Sequence, residues 1–308
     1  MSFATLIKNE ITKVDNTKSE SIAELSGFIS NNAEISQDYI RVSIENASTT
    51  RRIFKLIKDL YDVSAIVTVR KNKLTKRNLY ILTIKEKRDL ILKDLSLMTE
   101  DNKQLILPKT YIISDDEEKK AYLRGAFLSC GSINDPKTAR YHLEFIVNNK
   151  DKAIFLNNLL NEFNLNSKIF NRHKGYMVYI KEAEKISDFL RMIKAFQAVL
   201  YFEDIRIYRD HKNMTNRLNN CEQANIDKLI SSAEQQLKDI NLLKEHIGLE
   251  LLDDKIREVC EYRLKYPETS LLELSEIISL ETGNPITKSG LYHRFRKIKE
   301  MANKIKNT

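Results

Sequence analysis

Two short apolar helical blocks stand out along the chain, Ala23-Glu-Leu-Ser-Gly-Phe-Ile-Ser-Asn-Asn32 and Ala121-Tyr-Leu-Arg-Gly-Ala-Phe-Leu-Ser-Cys130, each with a central glycine, Gly27 and Gly125. The pattern after each block matches in kind. After the first it predicts a strand at about 39–44, a helix over 49–61 and a strand pair near 64–69 and 79–84. After the second it predicts a strand at 141–147, a helix over 151–163 and a pair near 167–170 and 176–180. Leu143, Phe145 and Val147 recur at every second position, as do Tyr176, Val178 and Ile180, which is the period of a half-buried strand. The exits Tyr80-Ile-Leu-Thr-Ile-Lys-Glu86 and Tyr176-Met-Val-Tyr-Ile-Lys-Glu182 agree, and each leads into a helix. The chain therefore reads as a duplicated α-β-α-β-β-α unit, with copies at about 1–95 and 117–200. The segment 87–118, with Pro108 and the acidic run Asp115–Glu118, reads as the connector between them.

Beyond about Phe202 the strand pattern stops. Ile226, Leu229, Ile230, Ala233, Leu237, Ile240 and Leu243 form one stripe and predict a helix over 226–247. Three shorter helices follow, at 250–265, 270–280 and 288–304. The expected fold class is α+β: a duplicated domain over 1–205, a linker over 206–225, and an all-α domain over 226–308.

Composition narrows the class of molecule. In 308 residues, 42% are hydrophobic and 31% charged, the balance of a globular protein rather than a disordered one. Lys and Arg number 51 against 43 Asp and Glu, a net charge of +8 that suits nucleic acid, an acidic membrane or an acidic partner. A Lys-, Asn- and Ile-rich genome would give the same excess. Cys130, Cys221 and Cys260 are widely spaced, without a nearby His pair, so reduced thiols are expected and neither a metal nor any other cofactor. Lys8, Glu10 and Lys13 interrupt the N-terminus where a leader would be apolar, and no run of some 18 apolar residues occurs. The expected location is the cytoplasm, at the nucleoid, without membrane association.

Glycine costs a helix about 1 kcal/mol relative to alanine, and is tolerated where another backbone must come close. Ala23, Gly27 and Ser30 share a helix face, as do Ala121, Gly125 and Ser129, so the two helices are expected to pack at a pseudo-two-fold axis within a monomer. Leu25-Ser-Gly-Phe-Ile-Ser-Asn-Asn-Ala33 and Leu123-Arg-Gly-Ala-Phe-Leu-Ser-Cys-Gly131 resemble the LAGLIDADG motifs of homing endonucleases. That resemblance implies an acid at the end of each helix, holding divalent cations over the scissile phosphates. The corresponding positions are Asn32 and Cys130, a neutral amide and a soft thiol ill matched to Mg²⁺. Nuclease activity is expected to be lost, unless the nearby Glu34 and Asp135 stand in. The resemblance also implies two sheets forming a saddle over a duplex. Arg70, Lys71, Lys73, Lys76 and Arg77 on the first hairpin, and Arg172, His173 and Lys174 on the second, are a candidate second DNA surface or simply solubilising charge.

The sharper signal lies at 270–302. Ser270 and Glu273 form a capping box, Gly283-Asn284-Pro285 breaks the helix, and Thr287 can cap the next. On that next helix Leu291, Phe295, Ile298, Ala302 and Ile305 share one face. Ser289, His293, Arg296 and Lys297 are expected opposite, with Arg294 on the flank, and with Lys288 they are the candidate DNA-binding residues. Between Pro285 and Thr308 seven Lys and Arg face Glu300 alone. Such a helix suits a major groove, although a basic solvated helix would share its charge. Asn216-Arg-Leu-Asn-Asn-Cys-Glu-Gln-Ala-Asn-Ile226 and Lys288-Ser-Gly-Leu-Tyr-His-Arg-Phe-Arg-Lys297 resemble the WhiA family over essentially the full chain. That resemblance implies double-stranded DNA as the partner and transcription regulation. It also implies roles in sporulation or in cell division and chromosome segregation, with transcription or division proteins as further partners. Three readings follow: a non-catalytic sequence-specific DNA-binding regulator, an active homing-type endonuclease, and a protein-docking scaffold with DNA held only by the C-terminus.

Overall fold

The computed structural model describes residues 1–71 and 78–306, and these form two compact units, Met1–Arg209 and Asp210–Thr308. The first unit opens with α1 (Phe3–Ile11), capped by the Ser2 hydroxyl, with Phe3, Ile7 and Ile11 buried. The sequence reading places no element there. The four-residue spacing of these apolar side chains was the available signal, diluted by the charges at Lys8 and Glu10.

The two copies have the same topology. The first runs α2 (Lys18–Asn32), β1 (Glu34–Ile35), β2 (Ile40–Ile44), α3 (Ala47–Tyr61), β3 (Ile66–Lys71), β4 (Asn78–Ile84) and α4 (Arg88–Asp94). The second runs α5 (Asp116–Cys130), β5 (Gly131–Ile133), β6 (Leu143–Val147), α6 (Lys150–Glu162), β7 (Lys168–Arg172), β8 (Gly175–Ile180) and α7 (Ala183–Met192). Both sheets are antiparallel, ordered β1-β2-β4-β3 and β5-β6-β8-β7. The strands β1 and β5 are absent from the pattern reading because two or three residues carry no period. They arise because Ala33 and Gly131 leave their helices at nearly identical extended angles, φ −82°, ψ 141° and φ −82°, ψ 146°. The acidic run Asp115–Glu118 is not connector. Asp115 caps α5 and Glu118 returns the bond to its backbone, a capping box that puts negative charge at the positive end of the helix.

Everything in this unit is arranged around the contact of α2 with α5. A β-carbon built at Gly27 would lie 2.2 Å from the Tyr122 carbonyl oxygen, and one at Gly125 would lie 1.9 Å from that of Glu24. Each glycine thus faces the backbone three residues before the other glycine. On the same interface the fully buried Glu24 carboxylate accepts from Arg52 Nε at 2.9 Å, Arg124 Nε at 2.9 Å and Asn16 Nδ2 at 2.6 Å. Arg124, itself 1% exposed, also donates to Asn16 Oδ1 at 2.6 Å. Burial raises the Glu24 pKa, but the hydrogen bonds and charges of Arg52 and Arg124 more than offset it, leaving the carboxyl below its ordinary value. Val42, Leu82 and Ile84 of one sheet and Phe145, Val178 and Ile180 of the other close over this pair in one apolar core.

The long helix begins earlier than the apolar stripe indicates, within the first unit. The helix α8 (Phe196–His246) includes all of 206–225, read above as a linker, because 196–246 contains neither Gly nor Pro to end it. After α9 (Asp254–Lys265), α10 (Leu271–Thr282) and α11 (Lys288–Lys306), the second core gathers Ile240 and Leu243 of α8 with Val259, Leu274, Ile278, Leu291, Phe295 and Ile298.

Two outcomes follow from the α2–α5 contact. Gly125→Ala should cost about 3 kcal/mol or more, since the atoms it meets are backbone and cannot step aside; denaturant unfolding followed by circular dichroism measures it. For Glu24, the folded pKa lies below the unfolded value of about 4.3. Its contribution is therefore present above that value and lost as pH falls through the folded pKa. Unfolding free energy should then decline steeply below pH 4, and Glu24→Gln, which strands Arg124, should lose about 3–5 kcal/mol at pH 7.

Candidate nucleic-acid interface

The geometry of α10 and α11 is fixed by polar contacts at each joint. Ser270 accepts from the Glu273 backbone and Glu273 from that of Ser270, opening α10. Gly283, at φ +72°, closes it in the left-handed region that favours glycine. Ser279 Oγ donates back to the Ser275 carbonyl at 2.7 Å and accepts from Ile286 N–H at 2.9 Å, pinning the turn onto α10. Thr287 Oγ1 then accepts from Gly290 N–H at 3.1 Å and starts α11.

Beneath the turn between α9 and α10 sits Arg263 of α9, which the sequence reading did not single out. It is 1% exposed, donates to the Thr269 carbonyl at 2.7 Å and the Tyr266 carbonyl at 3.3 Å, and lies over the Phe295 ring. One guanidinium thus ties α9, the α9–α10 turn and α11 together. Burial draws its pKa below the ordinary guanidinium value. A basic residue in a predicted helix gave no sign of facing inward.

On α11, Leu291, Phe295, Ile298 and Ala302 are buried. Lys288, Ser289, His293, Arg296 and Lys297 are exposed, together with Tyr292 and Lys299, which the sequence reading left out. Arg296 meets Glu300 at 3.4 Å across a well-solvated pair, a weak tether. Arg294 turns inward instead. Its guanidinium reaches the Glu258 carboxylate and the Lys255 carbonyl of α9, both at 3.3 Å, so it belongs to the packing of the unit rather than to its outer face.

The basic hairpins of the first unit are less uniform. Arg70 and Lys71 are exposed on β3, and Arg172, His173 and Lys174 at the β7–β8 turn, whereas Lys73, Lys76 and Arg77 lie outside the described residues. Between the charges, the outer face of the second sheet carries Ile146, Met177 and Phe170 in one cross-strand row, with Phe170 55% exposed.

The ends of α2 and α5 bring Asn32 and Cys130 to matching places. Asn32 Nδ2 donates to the Ser43 carbonyl at 3.2 Å, and Cys130 Sγ to the Ala126 carbonyl at 3.3 Å. Burial pushes the Cys130 thiol up to about 11. Glu34 is held by Tyr39 at 2.8 Å and Arg41 at 3.6 Å, while Asp135 accepts from Lys137 N–H in its own turn. Among the described residues no group of three or more His, Cys, Asp and Glu is placed to hold a metal ion. No helix among them is long and apolar enough to cross a membrane.

Three family models match in succession: the WhiA N-terminal LAGLIDADG-like domain over 18–98, the WhiA LAGLIDADG-like domain over 119–212 and the WhiA C-terminal HTH domain over 215–302. A probable cell division protein WhiA of Staphylococcus epidermidis (strain RP62A) is 47% identical over 317 residues, covering 100% of this chain and 98% of that protein. The chain belongs to the WhiA family. A Staphylococcus aureus (strain JH9) protein of the same description is 46% identical over 312 residues, again covering 100% and 98%. The crystal structure of full-length DUF199/WhiA from Thermatoga maritima superposes with a TM-score of 0.60 at 26% identity, covering 99% of each chain. The architecture, two LAGLIDADG-like α/β domains followed by a helical region with a helix-turn-helix, is therefore that of WhiA.

The two fates of basic residues on α11 of this WhiA chain, inward for Arg294 and outward for Lys297, can be separated. Arg294→Ala should lower the stability of the second unit by about 1 kcal/mol through the lost contacts to α9, and leave the salt dependence of DNA binding unchanged. Lys297→Ala should leave the melting temperature unchanged and reduce the salt slope by about 1. Thermal unfolding and fluorescence anisotropy over a salt series measure the pair.

Proposed function

We propose that this WhiA chain is a sequence-specific DNA-binding regulator that does not cut DNA, and that α11 enters the major groove of its target. The observation that carries the reading is the outer face of α11. Lys288, Ser289, His293, Arg296 and Lys297 are exposed on a helix whose opposite side is buried and whose entry turn is pinned by Ser279 and Thr287. Arginine and lysine at that site pair with guanine edges or phosphates, and Ser289 near the helix start is short enough to bond a phosphate. The staphylococcal relatives are described as probable cell division proteins, which supports a role in division; chromosome segregation and gene regulation are part of the proposal through the family resemblance. The chain would act at the nucleoid as a monomer, its two LAGLIDADG-like copies supplying within one chain the symmetry that a dimer would otherwise provide. The neutral side chains at Asn32 and Cys130 support the loss of nuclease chemistry, because a hard divalent cation needs anionic oxygen ligands.

The apolar row Ile146, Met177 and Phe170 favours a second use for the sheets, as a surface that docks protein while the C-terminal unit holds DNA. Arg172→Ala with Lys174→Ala separates the two uses: duplex affinity falls if the hairpins touch phosphates, and is unchanged if the sheets face protein.

Retardation and anisotropy with duplexes recovered from cells test the main reading. Arg296→Ala with Lys297→Ala should weaken binding at least tenfold, and the wild-type log affinity should fall with log salt with a slope near −5 if about six phosphates are neutralised. Plasmid incubated with Mg²⁺ or Mn²⁺ should stay intact. Unchanged retardation by the double variant would overturn the assignment of α11.

A further inference from the structure

A cleft of about 430 Å³ lies in the second unit where α8, the α9–α10 turn and the starts of α10 and α11 meet, a volume within the range of small-molecule sites. Its apolar wall is Leu229 and Ala233 of α8 with Leu271 and Leu272 of α10. Among the described residues its charged lining is basic throughout: Lys228 of α8, Arg263 of α9 and Lys288, the first residue of α11. The Glu273 carboxylate of the capping box lines a neighbouring cleft instead, and is held by the Ser270 N–H.

Arg263 decides what this cleft can hold. Its Nη1 donates to the Tyr266, Pro267 and Thr269 carbonyls, whereas its Nε has no hydrogen-bond partner among the described residues. Burial is the one influence acting on its charge. A guanidinium 1% exposed and without a counter-ion is costly to keep. On α8, Gln236 has the opposite deficit. Its Nε2 donates to Ser232 Oγ at 3.3 Å, while its buried Oε1 accepts from no group. An orphan donor on a cation and an orphan acceptor thus line one cleft. Beside them stand Leu271 and Leu272, whose N–H groups open α10, and a helix leaves its first N–H groups without internal partners and carries positive potential there.

We propose that this cleft binds a small organic anion that also carries an N–H or O–H donor. Arg263 and the first turn of α10 take the anionic group, and Gln236 Oε1 accepts from the donor. Leu229, Ala233, Leu271 and Leu272 hold the apolar body of the ligand. The inference stands apart from the DNA-binding reading. Lys288 nonetheless belongs both to the cleft wall and to the candidate DNA contacts, so the ligand sits beside the start of the helix offered to DNA. A phosphate of the duplex backbone is another source of an anion, but it brings neither the donor nor the apolar body.

The test uses the full chain with isotope-labelled arginine, followed by NMR and by fluorescence. The probe is anilinonaphthalenesulfonate, which joins a sulfonate and an N–H to an aromatic body; N-phenylnaphthylamine is the same molecule without the sulfonate. The sulfonate dye should bind once per chain and shift the Arg263 Nε–H resonance, and the neutral dye should bind about tenfold more weakly or worse. Gln236→Glu sets a carboxylate of the same size in the cleft and should lower affinity for the sulfonate dye about tenfold or more. Lys228→Glu, at an exposed position, should lower it about threefold, and Lys228→Arg should leave it at the wild-type value. Equal binding of the two dyes, an Arg263 signal that the sulfonate dye leaves in place, or unchanged affinity in both glutamate variants overturns the proposal. Inorganic phosphate and a duplex bound by the wild type are the remaining probes. If either moves the Arg263 signal as far as the dye does, the cleft takes a bare phosphate, and the proposal is overturned equally.

Discussion

Two carbonyl oxygens occupy the space where β-carbons would stand at Gly27 and Gly125, and the first unit is built outward from that approach. Helices normally meet through side chains, with axes about 8–10 Å apart. Here the backbones themselves touch, so the sheets that each helix carries are set with little freedom. The relation is reciprocal: the residue three before each glycine offers the oxygen that the other glycine must accommodate. A change at either position is felt by both copies.

Around this symmetric contact the side chains are not symmetric. Glu24 of α2 meets Arg124 of α5, but the residue equivalent to Arg124 in the first copy is Ser26, which donates to the Leu95 carbonyl, and the equivalent of Glu24 is Tyr122, which bonds Ser30. One buried ion pair, completed by Arg52 and Asn16, therefore fixes which copy lies on which side. The helix ends differ likewise, where a half-buried amide and a half-buried thiol take equivalent places.

Much of the fold was legible because it is periodic. The duplicated strands, the paired glycines and the capped helices all announce themselves through spacing and cap chemistry, and the matching exits after β4 and β8 made the repeat visible. What escaped was short or inward-facing. The strands β1 and β5 are too brief to show a period, and α1 hides its Phe3, Ile7 and Ile11 stripe among charges. On the candidate interface, spacing around α11 separates the buried side from the outer one. It cannot tell that Arg294 finds a carboxylate on α9, distant in sequence, or that Arg263 turns inward to carbonyls only a few residues on and over the Phe295 ring.

The lone Glu24–Arg124 bond also bears on how such a chain can be divided. Two copies of the first half, brought together through their glycine helices, would set a pair of carboxylates against serine, each held by its own Arg52 alone and without the second guanidinium that Arg124 supplies. Two copies of the second would bury a pair of guanidiniums facing tyrosine. At this contact neither half reproduces its twin, so the two halves are complementary rather than interchangeable.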